Sequence, residues 1–312
     1  MRKFIVSDIH GNGDIYDSIM GYLETVGLNE EVHLYINGDL IDRGLDSFRV
    51  LMDVKERMEG KGTIKIHYLG GNHELMMYHA LRKRKPGKTV NHWCDWIRNG
   101  GGIIEGEFDS REDGEELSDS LRDFMGELKI YHLFDEKIQD SRMLLVHAQA
   151  PKRVGDLYEM KIKDDNHLIE KAVWTRKDKS DLLWYGIESA LGLNRIGLDG
   201  YFTIKGHTPV TSQKGFEIDT RENYINIDGG CAGYAYGHFE YDHVPLLEVK
   251  EGFLRILVFN HNNEINAGYY YDGKLSKMSD EELAQHRGKL DTQYDGQAEK
   301  YKKLILELIN NK

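Results

Sequence analysis

The chain has 312 residues, 53 acidic against 41 basic, for a formal net charge of −12. The acidic surplus argues against a nucleic-acid partner, which needs a basic face to neutralise phosphates, and a 40% hydrophobic content excludes a disordered chain. No apolar run reaches the roughly 18 residues of a membrane span. The opening Met1–Asp8 turns polar too early for a secretory signal, and two cysteines, Cys94 and Cys231, make no disulfide framework. A cytoplasmic protein with no membrane or nucleic-acid partner is expected.

In chain order, short β-rich runs alternate with stretches of helical period, which predicts an α/β sandwich. Lys3–Ser7 reads as the first strand, followed at once by Asp8-Ile9-His10-Gly11. Alternate residues just past a strand end can turn a carboxylate and an imidazole towards one metal ion. A plain turn with a capping Asp fits the same residues. Ile15, Ile19, Tyr22/Leu23 and Val26 predict a helix with one apolar face. Val32–Asn37, the second strand, leads into Gly38-Asp39-Leu40-Ile41-Asp42-Arg43-Gly44. There Asp39 can ligate metal, Asp42 can bond a neighbouring imidazole, and Arg43 offers a planar fork to phosphate oxygens. An ion-paired surface turn is the alternative. Phe48, Leu51, Val54 and Met58 predict the second helix, and Ile64–Leu69 the third strand. Gly70-Gly71-Asn72-His73-Glu74 then sets a neutral oxygen ligand beside an imidazole proton donor.

Further along, Arg82–Lys88 gathers five basic residues. Glu105–Asp119 carries eight acidic residues and one arginine, the pattern of a solvated loop or of the exposed face of a short helix. Met143–His147 is a strand ending on His147, and Tyr201–Lys205 runs into Gly206-His207-Thr208-Pro209. Tyr224–Ile227 follows, then a hairpin of Pro245–Val249 and Phe253–Phe259 turning at Glu251-Gly252. Ser279 and Glu282 form a capping-box pattern, and Tyr301, Leu304, Ile305, Leu308 and Ile309 share one helical face. A lone histidine at a strand end is more often structural than a ligand. Two of them, joined to three upstream acid, His and Asn motifs, reverse that expectation. His33, His67, His79, His132, His167 and His238 match no motif.

In order and context these five motifs resemble those of the calcineurin-like metallophosphoesterases, within them the phosphoprotein-phosphatase branch and its bacterial and phage members. Gly-Asp-x-x-Asp-Arg-Gly followed by Gly-Asn-His-Glu marks that branch. Asn99-Gly100-Gly101, Trp174-Thr175-Arg176 and Asn226-Ile227-Asp228-Gly229-Gly230 are further matches. The resemblance runs from about Asp8 to about Gly230. Two departures, Gln149 where members show Gly and the missing threonine after Asn-Gly-Gly, bear on substrate more than on chemistry.

The resemblance implies a four-layer α/β/β/α sandwich, two mixed β-sheets flanked by helices. With no internal repeat and no Pro/Ser-rich linker, the chain is expected to form one catalytic domain over residues 1–277 with a C-terminal helical appendage over 278–312. The resemblance carries further expectations about the chemistry. It also implies two divalent metal ions, manganese in the first place, with Fe²⁺ or Zn²⁺ as alternatives. Asp8, His10 and Asp39 would hold one, and Asp39, Asn72, His147 and His207 the other. A hydroxide between the ions would attack in line, with His73 as general acid, Asp42 orienting it, and Arg43 and Arg176 clamping the phosphate. The expected activity is hydrolysis of phosphomonoesters, above all phosphoserine and phosphothreonine in proteins, with a phosphorylated protein or a small phosphate ester as partner. Dinucleoside polyphosphate hydrolysis, as of diadenosine tetraphosphate, is the alternative. A non-catalytic metal-binding regulator is more remote, since every expected position is filled.

Overall fold

A computed structural model describes residues 1–82, 91–151, 159–175, 200–210, 214–220, 223–236, 243–260, 262 and 264–290. Arg176, residues 83–88 of the basic run, His238 and the apolar stripe from Tyr301 to Ile309 lie outside the described residues.

The first half alternates strand and helix: β1 (Arg2–Val6), α1 (Gly13–Gly27), β2 (Val32–Asn37), α2 (Ser47–Met58), β3 (Ile64–Leu69) and α3 (Asn72–Arg82). A helical stretch follows: α4 (Asn91–Trp96), a wide turn over Ile97–Gly101, α5 (Gly102–Asp109) and α6 (Gly114–Glu127). Then come β4 (Tyr131–Ile138), β5 (Ser141–Val146), α7 (His167–Trp174), β6 (Tyr201–Lys205), β7 (Glu217–Asp219) and β8 (Tyr224–Asn226). The last strands are β9 (Val244–Lys250), β10 (Phe253–Phe259), β11 (Ile265–Tyr271) and β12 (Leu275–Lys277), and residues 280–290 form α8.

Two mixed sheets result. One runs β12-β11-β10-β9-β1-β2-β3 and the other β4-β5-β6-β8-β7. In the first sheet β1, β2 and β3 are parallel; in the second β5, β6 and β8 are. Strand alternation divides the apolar residues between two cores. Ile5, Tyr35, Leu247, Ile256 and Val258 meet Phe134, Leu145, Phe202 and Ile225 between the sheets. Their strand neighbours Phe4, Val6, Leu34, Ile36, Leu246 and Leu257 pack beneath helices, as the two-residue period requires. This is the two-sheet sandwich flanked by helices that the sequence led us to expect.

Local chemistry explains most boundaries. Asn12 caps α1 by accepting from Ile15 N at 3.2 Å, and Ile15, Ile19, Tyr22, Leu23 and Val26 are buried as the spacing predicts. The buried stripe of α2 is Val50, Leu51 and Val54, with Met58 exposed, so the helix is turned slightly from the predicted face. The hairpin of β9 and β10 turns at Glu251-Gly252, with Gly252 at φ +85°. Of the two readings of Glu105–Asp119 the helical one holds for most of it: it spans the end of α5, a turn over residues 110–113 and the start of α6, mostly exposed, with Glu105 buried. Short or weakly alternating strands, β4, β7, β11 and β12, escape the sequence pattern because pairing rather than composition makes them strands.

The capping box forms, with Ser279 N donating to Glu282 Oε2 at 3.0 Å and Glu282 N to Ser279 Oγ at 3.2 Å. α8 lies on the body: Leu283 and Leu290 join the main core, and Tyr22 bonds His286 through its hydroxyl at 2.8 Å. Beside that seam, buried Glu248 of β9 is ringed by Arg2 at 2.6 Å, Arg255 at 2.8 Å and Lys250 at 2.9 Å. Among the described residues no helix is long and apolar enough to cross a membrane.

Candidate metal centre

Each of the parallel strands ends on a loop that delivers a polar side chain to one place. Asp8 and His10 follow β1, Asp39, Asp42 and Arg43 follow β2, and Asn72 and His73 open α3 after β3. In the facing sheet His147 follows β5, His207 follows β6 and Asp228 follows β8. The carboxyl ends of parallel strands are where α/β folds leave a crevice, because the chain must turn away there into the next crossover.

The loops are stitched across the sheets. Asp8 N donates to Gly38 O at 3.2 Å, Gly206 N to His147 O at 2.8 Å, and His207 N to Asp8 Oδ1 at 3.1 Å. Asn37 Nδ2 donates to Val146 O at 3.2 Å, bridging the two sheets. The backbone is bent for the purpose: Asp8, His10, Asp39, Asp42, Arg43 and His207 all have φ between +49° and +71°. Such left-handed residues cost about 1 kcal/mol or more each, so a cluster of them at one point marks function. Gly38, at φ +76°, could not carry a side chain, since a Cβ would lie 2.6 Å from Gly71 Cα and 2.7 Å from His147 Nδ1.

Each imidazole is oriented by one ring nitrogen, which settles what the other can do. His10 donates from Nδ1 to Ile41 O at 3.1 Å and His147 from Nδ1 to Asn37 O at 2.7 Å. His73 donates from Nδ1 to Asp42 Oδ2 at 2.7 Å, and His207 from Nε2 to Trp174 O at 3.1 Å. Asp39 stands between two groups. Its Oδ2 is 3.6 Å from His10 Nε2 and 3.9 Å from His73 Nε2, and its Oδ1 is 3.4 Å from His147 Nε2. Asn72 Oδ1 lies 3.2 Å from the same His147 nitrogen.

Among the described acids, histidines and cysteines, His10–Asp39–His73 and Asp39–His147–His207 bring one ligand atom each within reach of a common ion. This donor set, imidazoles around a carboxylate whose two oxygens face different groups, fits divalent cations on both sides of Asp39. The first group holds His10 and Asp39 of the expected set together with His73. Asp8 abuts Gly206, accepts from the Ser7 hydroxyl and takes the His207 N–H.

Electrostatics follow from packing several acids and histidines without water. Burial and the neighbouring Asp228 push Asp8 well above the usual carboxylate range. Burial would do the same to Asp39, but His147, His73 and His10 hold it well below. Burial opposes protonation of His147, yet Asp39 raises it to about 10. His10 is driven well down by burial and by the charges of His73 and Arg43. Arg43 spans both imidazoles, Nη1 donating to His10 Nε2 and Nη2 to His73 Nε2, each at 3.0 Å.

Three supporting residues were not singled out in the sequence. Glu74 accepts from Asp39 N, Leu40 N, Gly71 N and the Tyr68 hydroxyl at 2.6–3.1 Å, so it ties the β2 and β3 loops together. Trp96 donates to Asp42. Asp228 is buried, and burial raises it to about 6. The signal for Asp228 was its place in a Gly-bearing motif after a strand, the same context as the other site residues. Cys231 packs as a buried thiol, donating to Ile9 O at 3.5 Å and pushed by burial to about 12. Cys231–Tyr236 form a 3₁₀ turn.

The sequence profile described as calcineurin-like phosphoesterase matches residues 1–291. No curated protein matches significantly in sequence. Among solved structures the chain is similar to a protein serine/threonine phosphatase from Saccharomyces cerevisiae with similarity to human phosphatase PP5. That likeness has 11% identity, 81% of this chain and 73% of that one covered, and a TM-score of 0.51. It is also similar to the cold-active protein-tyrosine phosphatase of a psychrophile, Shewanella sp., at 17% identity, with 89% and 80% covered and a TM-score of 0.42.

Proposed function

We propose that this chain, which belongs to the calcineurin-like phosphoesterase family and is a metal-dependent phosphoester hydrolase, acts on phosphomonoesters through a dinuclear centre. Its preferred substrates in this reading are phosphoserine and phosphothreonine in proteins. The observation that carries it is Asp39, whose two oxygens face separate imidazole groups beside an arginine fork. Asp8, His10 and Asp39 would hold one ion and Asp39, Asn72, His147 and His207 the other, with manganese the expected metal. Bound there, the ions lower the pKa of water and polarise the phosphoryl oxygens.

The chain's own residues do the rest. Arg43 leaves the imidazoles for the phosphoryl oxygens, where charge gathers as the ester bond breaks. His73 Nε2 gives a proton to the departing oxygen, and Asp42 on Nδ1 stabilises the charged ring from which it leaves. Water supplies the new oxygen on phosphorus, and the second product is the free alcohol. Arg82, part of the basic run, is taken by Asp165 at 2.6 Å. A cytoplasmic setting agrees with the free thiols of Cys94 and Cys231.

The test is steady-state hydrolysis by manganese-loaded enzyme of a phosphoserine peptide, a phosphotyrosine peptide and diadenosine tetraphosphate, with Asp39→Asn as control. The phosphoserine peptide should be cleaved with the highest kcat/KM. Preference for the tetraphosphate would replace the protein-phosphatase reading with the nucleotide one. Equal activity in Asp39→Asn would remove the metal-centre reading altogether.

A further inference from the structure

Behind the His73–Asp42 pair lies a fully buried indole. Trp96, at the end of α4, points its Nε1–H between the two oxygens of Asp42, 3.1 Å from each. Asp42 is itself wholly buried, and a buried carboxylate needs donors on its lone pairs. His73 Nδ1 and Trp96 Nε1 are the donors the structure provides. They differ in kind: imidazole can donate or accept, whereas indole only donates. Trp96 can therefore only donate to Asp42, and its ring is fully buried.

The wide turn after α4 is shaped around this ring. A Cβ on Gly101 would fall 2.4 Å from the indole, and Gly100, at φ +106°, lies against Arg43 so closely that a Cβ would meet its backbone nitrogen at 2.6 Å. Arg43 N donates to Gly100 O at 3.4 Å. The Asn99-Gly100-Gly101 motif, which no chemical role had absorbed, thus serves as the backing of Asp42 and Arg43.

We infer that Trp96 is a positioning residue for proton delivery: its indole N–H sets the Asp42 carboxylate so that Oδ2 meets His73 Nδ1, which keeps Nε2 turned towards the reacting centre. The inference rests on the reading of His73 as general acid. It acts through Asp42 and touches no substrate. Burial pushes Asp42 upward, and the bonds from His73 and Trp96 counter it in part.

The experiment compares leaving groups on the metal-loaded full-length enzyme. A general acid matters for an alkoxide leaving group, as from a phosphoserine peptide, and little for 4-nitrophenolate, which departs without a proton. Trp96→Phe should cut kcat on the peptide by about tenfold, the usual size for loss of a supporting hydrogen bond, and change kcat on 4-nitrophenyl phosphate by less than about twofold. KM and metal content should hold. In an Asp42→Ala background, Trp96→Phe should have no further effect on the peptide, because the partner through which it acts is gone.

Equal losses on both esters, no loss on either, or an undiminished effect in the Asp42→Ala background would overturn the inference in favour of packing alone. His73→Asn separates the two levels of argument. If it shows the leaving-group selectivity and Trp96→Phe does not, the inference alone fails; if it lacks the selectivity, the general-acid reading falls and the inference with it. Should Trp96→Phe fail to fold, benzothienylalanine at position 96 keeps the ring shape, removes the N–H and gives the same readouts.

Discussion

Two buried charge clusters in this molecule are built on opposite principles. Around Glu248 one carboxylate is met by Arg2, Arg255 and Lys250, and its neighbours on β9 and β10 sit in regular strand pairing. At the strand ends, Asp8, Asp39, Asp42, Glu74 and Asp228 crowd together with imidazoles oriented by carbonyls, and the backbone is left-handed at most of the key positions. Burial opposes ionisation of Glu248, but its three cations hold it below its ordinary value, whereas burial leaves Asp8 and Asp228 above theirs. Buried charge by itself therefore says little about function. Like charges held together on a strained backbone do.

The contrast should break most visibly at Asp39. Asp39→Asn should reduce kcat by about a thousandfold or more, since several kcal/mol of metal stabilisation disappear, with little change in melting temperature; a parallel loss of fold would erase the distinction. Glu248→Ala should do the reverse. We expect roughly 2–3 kcal/mol of lost stability by denaturant melts, discounted because Lys250 and Arg255 are partly exposed, and an unchanged kcat per folded molecule.

Metal titration sharpens the comparison. With His147 raised to about 10, the metal-free protein holds a proton that an ion must displace. Binding at pH 7.5 should release at least one proton, visible by calorimetry in buffers of different ionisation enthalpy, and affinity should rise with pH below about 10. Buffer-independent heats would contradict the ion-pair picture of His147 and Asp39.

The smallest effect concerns pH and stability. Asp228 has a folded value raised to about 6, so its contribution favours the metal-free fold at low pH and is lost as pH rises between about 4 and about 6. Glu248, lowered on folding, acts oppositely and loses its contribution as pH falls below its ordinary range. Asp228→Asn should raise the melting temperature of metal-free protein at pH 7 and leave it nearly unchanged at pH 4. An equal shift at both pH values would show that Asp228 matters through packing instead.

Much of this was legible in the chain. A strand that ends in Asp-x-His, Gly-Asp-x-x-Asp-Arg-Gly or Gly-Asn-His-Glu announces its chemistry locally, because hydrophobic alternation and turn glycines are short-range signals. That is why β1, β2, β3 and β6, and the polar residues after them, fall close to where the sequence puts them. Glu74 and Trp96 were visible as letters but not as roles. A carboxylate collecting four donors, or an indole meeting Asp42 from 54 positions away, depends on loops from different elements converging.

By itself, then, the sequence determined the alternation of strand and helix, the residue types offered at each strand end and the kind of ion they could hold. Only the tertiary structure decided which oxygen of Asp39 faces which imidazole, that Asp8 accepts the His207 N–H, and that Asp228 is buried close enough to raise Asp8. The physical reason is range. Backbone propensity and side-chain period act over a few residues, while the direction of a buried side chain is set by hydrogen bonds from whatever distant segment packs against it.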